Sequence, residues 1–321
     1  MTAPLAIQNA SSSVSVTLAP DLAAAVNYAK AEKAPATRKA YGTDFRLFKE
    51  WCDGKGAQSL PAAPETVAAF LAAEADAGVR PSTLGRRVAA IRYAHKLASL
   101  ATPTDAEGVK ATLRGIRRSV GAAKVRKAPA VAERIKAMVT ASPNTLAGKR
   151  DRALILLGFA GAFRRSELVA LDVADIEESE AGLRVTIRQS KTDQDREGAT
   201  IAIARGMFAC PVRALRAWLD AAGIESGALF RSVNKAGVVA SARLTDRSVA
   251  SIVKAMAGSV GLDASTFSGH SLRSGFLTSA ASNGASILKM MDVSRHRAVD
   301  SLRGYVRDAE LFKDHAGAGL L

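Results

Sequence analysis

The sequence predicts a mainly α-helical protein of two domains, an N-terminal helical bundle followed by an α+β domain with a small antiparallel three-stranded sheet. Three observations lead there. Apolar residues recur at helical spacing in successive segments up to Val120, the period changes to strict alternation between Leu183 and Ala204, and a basic stretch without apolar period, Val120 to Ala130, separates the two patterns. A chain of 321 residues is long enough to bury two separate cores.

Residues 1–20 carry no Lys or Arg and no compact apolar run before a cleavage pattern, so they read as a loose arm and not as a secretory signal. Residues 21–120 read as the bundle. Tyr41, Phe45, Phe48 and Cys52 form one apolar stripe; a second helix runs from Pro64 to Gly78; a third aligns Leu84, Val88 and Ile91; a fourth aligns Val109, Leu113, Ile116 and Val120. On the fourth, Lys110, Arg114 and Arg117 repeat one position out of phase with the stripe, which puts a basic row beside the buried face. Such a row either follows phosphates or is a solvated flank. Residues 121–130, with Gly121, Lys124, Arg126, Lys127 and Pro129, read as a basic linker.

Residues 131–321 form the second domain. Helical patterns extend to Leu171, broken at Ser142-Pro-Asn144. Three strands follow, Leu171 to Ile176, Leu183 to Ile187 and Ala199 to Ala204, with Lys191 at the exit of the middle one. Cys210-Pro211 opens an amphipathic helix through Leu215, Trp218 and Leu219, and the remainder reads as helical. The acidic run Asp175, Glu177, Glu178 and Glu180 reads as a solvated turn between strands, and His95 and His315 have no evident partners.

Composition bounds the function. Lys plus Arg number 45 against 30 Asp plus Glu, a formal charge of +15, and such an excess fits a polyanionic partner, nucleic acid first. Both halves share it, with 19 basic against 10 acidic residues through Pro129 and 26 against 20 beyond. Two distant cysteines, Cys52 and Cys210, suggest neither a disulfide framework nor a zinc cluster and fit a reducing cytoplasm. The longest apolar run, Ala153 to Phe163, is too short for a bilayer, so no membrane partner is expected. Neither a phosphate-binding Gly-x-x-x-x-Gly-Lys-Ser/Thr loop nor a His-Glu-x-x-His zinc motif is present.

The chemistry-bearing residues lie in the second half. Arg164 and Glu167 stand in Gly161-Ala-Phe-Arg-Arg-Ser-Glu-Leu168, Lys191 in Ser-Lys-Thr192, His270 and Arg273 in His-Ser-Leu-Arg, and His296 precedes Tyr305 by nine positions. A phenol of pKa about 10 is a weak nucleophile, so its neighbours must favour the phenolate or take its proton. Arginine forks match phosphate oxygens and keep their charge, and lysine both stabilises charge and gives up a proton. His270 and Arg273 share a helix face at this spacing, and Glu167 can orient Arg164 through a charge-assisted hydrogen bond.

In order and spacing the set Arg164, Lys191, His270, Arg273, His296, Tyr305 resembles the tyrosine recombinases, or phage-type integrases. The resemblance is specific over the second domain; in the first, Thr37-Arg-Lys-Ala-Tyr41 looks like the opening of the family's SAM-like core-binding bundle. It selects Arg164 over its neighbour Arg165. It implies that Arg164 and Arg273 hold the phosphate, Lys191 is general acid for the leaving 5′ oxygen, His270 assists proton transfer from the tyrosine, His296 hydrogen-bonds the phosphate and Tyr305 is the nucleophile. The activity so implied is site-specific recombination through a 3′-phosphotyrosyl intermediate and a Holliday junction, without metal, ATP or other cofactor. Implied partners are double-stranded DNA, touched by Lys110, Arg114, Arg117, Lys124, Arg126 and Lys127, a homotetramer on two sites, and accessory DNA-bending proteins. Two positions depart from the pattern: Ser274 where many relatives have histidine, and Arg295 where glycine is usual. A type IB topoisomerase-like relaxing enzyme shares the phosphotyrosine chemistry, and a non-cleaving DNA-binding accessory protein would share the scaffold.

Overall fold

Prolines start most helices of the first half. Pro20, Pro35, Pro64 and Pro81 each occupy the first turn of a helix, where a fixed φ is already correct and the missing N–H would have had no partner. The computed structural model describes residues 18–121, 127–188 and 198–309, and the chain divides into two compact units, residues 1–125 and 126–321.

The first unit contains α1 (Ala19–Ala31), α2 (Pro35–Gly54), α3 (Pro64–Asp76), α4 (Pro81–Leu97) and α5 (Glu107–Val120). Phe48, Cys52, Val67, Phe70, Leu71, Leu84, Ile91 and Val109 form its core, with Leu113 and Ile116 packed at the edge. The four stripes read from the sequence are α2 to α5; α1 is an additional helix. Val120 departs from expectation, because it ends α5 57% exposed and takes no part in the core. His95 is a satisfied core histidine: Nδ1 donates to Ile91 O at 2.8 Å and Nε2 accepts from the Ala62 N–H at 2.9 Å. Its partners are backbone groups, which no side-chain motif announces.

The second unit begins with α6 (Ala132–Ala141), α7 (Leu146–Ala160) and α8 (Arg165–Ala170). The antiparallel sheet follows as β1 (Ile176–Glu178), β2 (Gly182–Ile187) and β3 (Ala199–Ala204), in the order β1-β2-β3. Register pairs Leu183 with Ile203 and Val185 with Ile201, so all four face the core while Arg184, Thr186, Thr200 and Ala202 face out. The first strand sits later than expected, because Val173–Asp175 form a 3-10 turn first. The acidic run is accordingly no solvated turn: Asp175 is buried against Arg188, and Glu178 on β1 pairs with Arg205 and Arg216.

After α9 (Pro211–Ala222), a second hairpin of β4 (Arg231–Val233) and β5 (Val239–Arg243) replaces the expected helix. Its strands are short and mostly exposed, so they carry no alternating apolar pattern to read. Then come α10 (Asp246–Ser259), α11 (His270–Ser282), α12 (Ile287–Ser294) and α13 (Asp300–Ala309). Residues 127–130 pack along this unit: the N–H groups of Ala128 and Ala130 donate to Thr266 O and Ser271 O, and Lys127 Nζ donates to Ser265 O at 2.7 Å. Among the described residues no helix is long and apolar enough to cross a membrane.

Candidate active site

The site is organised around the turn Gly161–Phe163 between α7 and α8. Ala162 is fully buried in the left-handed region at φ 45°, a strained conformation for a residue with a Cβ. Two guanidinium groups hold its carbonyl: Arg273 Nη1 donates to it at 2.7 Å and Arg295 Nη2 at 3.3 Å. Arg164 follows as the residue that caps α8. The Glu167 carboxylate reaches back over the helix start, Oε2 accepting from the Arg164 backbone N–H at 3.0 Å and Oε1 from its Nη1 at 2.6 Å. This satisfies an orphan donor of the helix and fixes the arginine in one step. Arg165 points elsewhere, pairing with Asp246 in an exposed bridge at 3.0 Å.

His270 and Arg273 occupy the first turn of α11. Arg273 is 1% exposed, a cost met only because its nitrogens have partners. Besides Ala162 O it meets His296, Nη2 lying 3.2 Å from Nδ1 and 3.3 Å from Nε2. Burial first, then Arg164 and Arg295, push the Arg273 guanidinium down to about 9, while Glu167 and Tyr305 act the other way. It stays a cation at neutral pH. His270 lies at the surface of the cluster with its backbone N–H on Ser268 Oγ; desolvation and then Arg273 and Arg164 hold it below the ordinary histidine value.

His296 follows the end of α12. Ser294 Oγ donates its single proton to Met290 O at 2.6 Å, so it accepts from His296 Nδ1 at 2.8 Å and leaves the Nε2 lone pair toward Arg273. Burial, then Arg273 and Arg164, lower His296 to about 4, so the ring is neutral at pH 7.

Tyr305 is carried by α13, half-buried with Val306 against Leu277, Ala281, Met290 and Leu302. Its phenol lies within electrostatic reach of Arg273. The second unit therefore gathers Arg164, Glu167, His270, Arg273, His296 and Tyr305 on α8, α11, α13 and the end of α12. Lys191, Lys124 and Arg126 lie outside the described residues. Of the other basic positions, Lys110, Arg114 and Arg117 are exposed along α5, with Arg114 paired to Glu107, and Lys127 is exposed on the second unit.

Arg295 is the member that sequence reasoning passed over. Its Nη2 donates to Glu167 Oε2 at 2.8 Å, and burial outweighs that carboxylate in drawing its pKa below the usual arginine range. The available signal was the arginine standing immediately before His296. Glu167 is held the opposite way: burial alone would raise its carboxyl, but Arg295, the Arg164 N–H and the Arg164 guanidinium together bring it below the usual glutamate value. Among the described residues, three arginines against one carboxylate leave the centre with net positive charge, poised for an anion. Among the described residues no grouping of His, Cys, Asp or Glu could hold a metal ion.

Comparison with known proteins places the chain in a family. Residues 131–311 match the Phage integrase family and residues 26–101 match the Phage integrase N-terminal SAM-like domain. The chain is 39% identical over 290 residues to an integrase/recombinase XerD homolog of Selenomonas ruminantium, covering 88% of this chain and 85% of the relative. It is 23% identical over 285 residues to the recombinase Cre of Escherichia phage P1, covering 83% and 82%. In fold it is similar to the Tn1549 transposon integrase solved with transposon right end DNA, with a TM-score of 0.63 at 13% identity, covering 91% of this chain and 97% of that one. With both units matched in sequence, the chain belongs to the phage integrase family, the tyrosine recombinases, enzymes of site-specific DNA recombination.

Proposed function

We propose that the second unit, residues 131–321, is the catalytic domain and that it exchanges DNA strands through Tyr305, with residues 21–120 gripping the same duplex and residues 121–130 linking them. The observation that carries this reading is the gathering of Arg164 and neutral His296 about Arg273, which itself lies within electrostatic reach of Tyr305. In the proposed step the Tyr305 oxygen attacks phosphorus and forms a 3′-phosphotyrosyl bond. The bond from phosphorus to the 5′ oxygen breaks, and that oxygen takes a proton from Lys191. His270 accepts the phenol proton; its depressed pKa keeps it unprotonated and able to do so. Arg164 and Arg273 match their fixed positive forks to the charge that builds on the non-bridging oxygens. A 5′ hydroxyl from another strand then reverses the step. The linkage conserves the bond, so no nucleotide is needed.

Double-stranded DNA is the partner, supported by the excess of 15 positive charges and by relatives whose solved structures contain DNA. The assembly proposed is a homotetramer on two sites in the cytoplasm, passing through a Holliday junction, with accessory DNA-bending proteins as further partners. Lys110, Arg114, Arg117, Lys124, Arg126 and Lys127 are proposed as backbone contacts.

The test uses purified protein with a library of nicked and half-site DNA, scored on denaturing gels. Parent protein gives a covalent protein–DNA band, and Tyr305→Phe gives none while retaining DNA binding. Tight binding by the parent with no adduct on any substrate would instead establish a non-cleaving accessory protein. Relaxation of supercoiled DNA without a paired site would establish a topoisomerase.

A further inference from the structure

We propose that Arg295 is a positioning residue for strand cleavage: it holds Glu167 and the Gly161–Phe163 turn, and through them aims the Arg164 guanidinium at the phosphate. The proposal rests on the reading of Arg164 as a phosphate ligand. Arg295 ends α12 at φ 57° and ψ 41°, a left-handed conformation that glycine adopts freely and a side chain does not. An arginine there is explained by what its side chain does. Only 9% of that side chain is exposed. Nη1 donates to Val293 O at 2.6 Å and Gly161 O at 3.2 Å, Nη2 to Ala162 O at 3.3 Å and Glu167 Oε2 at 2.8 Å, and the guanidinium lies 5.3 Å from the centre of the Phe163 ring. With both terminal nitrogens engaged, Arg295 is not itself a phosphate ligand. Apart from Val293 O on its own helix, its contacts fall on the three residues before Arg164 and on the carboxylate that fixes Arg164.

Division of the carboxylate gives the arrangement its chemical meaning. Oε1 serves the Arg164 side chain, while Oε2 is shared between the Arg164 backbone and Arg295. Without Arg295, Oε2 loses its cation and the full carboxylate charge falls on Arg164. The arginine that must meet an incoming phosphate is then both less fixed and more neutralised.

The experiment compares parent, Arg295→Gly, Arg295→Lys, Arg164→Ala and the Arg164→Ala/Arg295→Gly double variant, measuring melting, DNA affinity and adduct formation at saturating half-site DNA. Glycine suits the backbone, so Arg295→Gly keeps a cooperative melt. Its cleavage falls on the order of 100-fold at saturating DNA, the scale set by misplacing a catalytic group by about an ångström. Arg295→Lys keeps the charge without the fork and recovers only part of the rate. On the Arg164→Ala background the Arg295 change costs nothing more, because both act through one guanidinium. Folded Arg295→Gly cleaving at the parental rate, or an additive loss in the double variant, overturns the proposal. Should Arg295→Gly lose its cooperative melt, Arg295→Lys is tested on both backgrounds with the same two criteria. Parental cleavage by Arg164→Ala alone overturns the underlying assignment of Arg164, and the proposal with it.

Discussion

Arg273 Nη2 lies 3.2 Å from Nδ1 and 3.3 Å from Nε2 of His296 and donates to the Nε2 lone pair, since Nδ1 spends its proton on Ser294 Oγ, so the most buried cation of the site rests on an uncharged ring. Were His296 protonated, two positive groups would face each other away from water. The neutral ring avoids that, and Ser294 selects which nitrogen keeps its proton. An arriving phosphate reverses the balance, since its negative charge favours a protonated His296 able to donate to it. DNA binding near pH 6 should therefore take up a proton. Calorimetry in buffers of different ionisation enthalpy measures that uptake, and an enthalpy independent of buffer would contradict it.

The same depressed histidine sets a pH dependence of folding. His296 titrates at about 4 in the folded chain against 6.5 when unperturbed. Between those values the unfolded chain holds more protons, so stability is greatest above pH 6.5 and declines as pH falls toward 4. His270 is shifted in the same direction and adds to the loss. Urea midpoints measured across this window should fall with pH, and His296→Asn should flatten the slope.

Gly275, on α11 two residues beyond Arg273, faces the extended segment that enters the second unit. A Cβ at this position would lie 2.0 Å from the Ala130 carbonyl oxygen, a backbone atom that cannot turn aside. Gly275→Ala must push α11 away from residues 128–130, at a cost of about 3 kcal/mol, the upper part of the range for overpacked sites. Because Arg273 rides on the same helix, adduct formation should fall with the melting temperature. An unchanged melt in Gly275→Ala would mean that the helix and segment separate freely.

How far the sequence could be read depended on whether the signal was a side-chain pattern. Apolar spacing located α2 to α5 and the core faces of β2 and β3, since burial on one face leaves a period. The β4–β5 hairpin left none, because Val239 to Arg243 is nearly all exposed and held by backbone pairing. Arg164, Arg273, His296 and Tyr305 were visible as residue types suited to phosphoryl chemistry whose order and spacing resemble the tyrosine recombinases. Arg295 was visible only as an odd neighbour of His296; its role depends on a turn more than 130 residues earlier that folding brings beside it. The partners of His95 were hidden because they are backbone groups, which leave no side-chain pattern.

Among the described residues Glu167 is the one anion beside three arginines at the centre, and 3% exposure leaves water little part in screening them. Glu167→Gln removes its charge and puts an N–H₂ group where an acceptor is needed, so one of Arg164 and Arg295 loses its partner. Breaking a buried pair from one side costs about 3–5 kcal/mol. The urea midpoint should drop accordingly. The folded carboxyl sits below its usual value, so the stabilisation is present above the unfolded glutamate pKa and is lost as pH falls through the folded one. The difference between parent and variant should thus narrow in acid, and a constant difference down to pH 3 would contradict the pairing.

The basic row on α5 gives a prediction that separates its members. Lys110, Arg114 and Arg117 are all exposed, yet Arg114 is already paired with Glu107, whose carboxyl is held low first by that hydrogen bond and then by the charge of Arg114. A cation contacting a DNA phosphate releases a counterion, and losing it reduces the slope of log K against log salt by about 0.9. Lys110→Ala and Arg117→Ala should each flatten the slope by nearly that amount. Arg114→Ala should do less, since DNA must first compete with Glu107 for the guanidinium. Glu107→Gln frees Arg114 and should steepen the slope toward one further contact, while tightening binding most at low salt. Fluorescence anisotropy on a single duplex over a salt series gives all four slopes. Equal slopes for parent and every variant would make the row a solvated flank, leaving the other basic residues of the chain to carry the phosphate contacts.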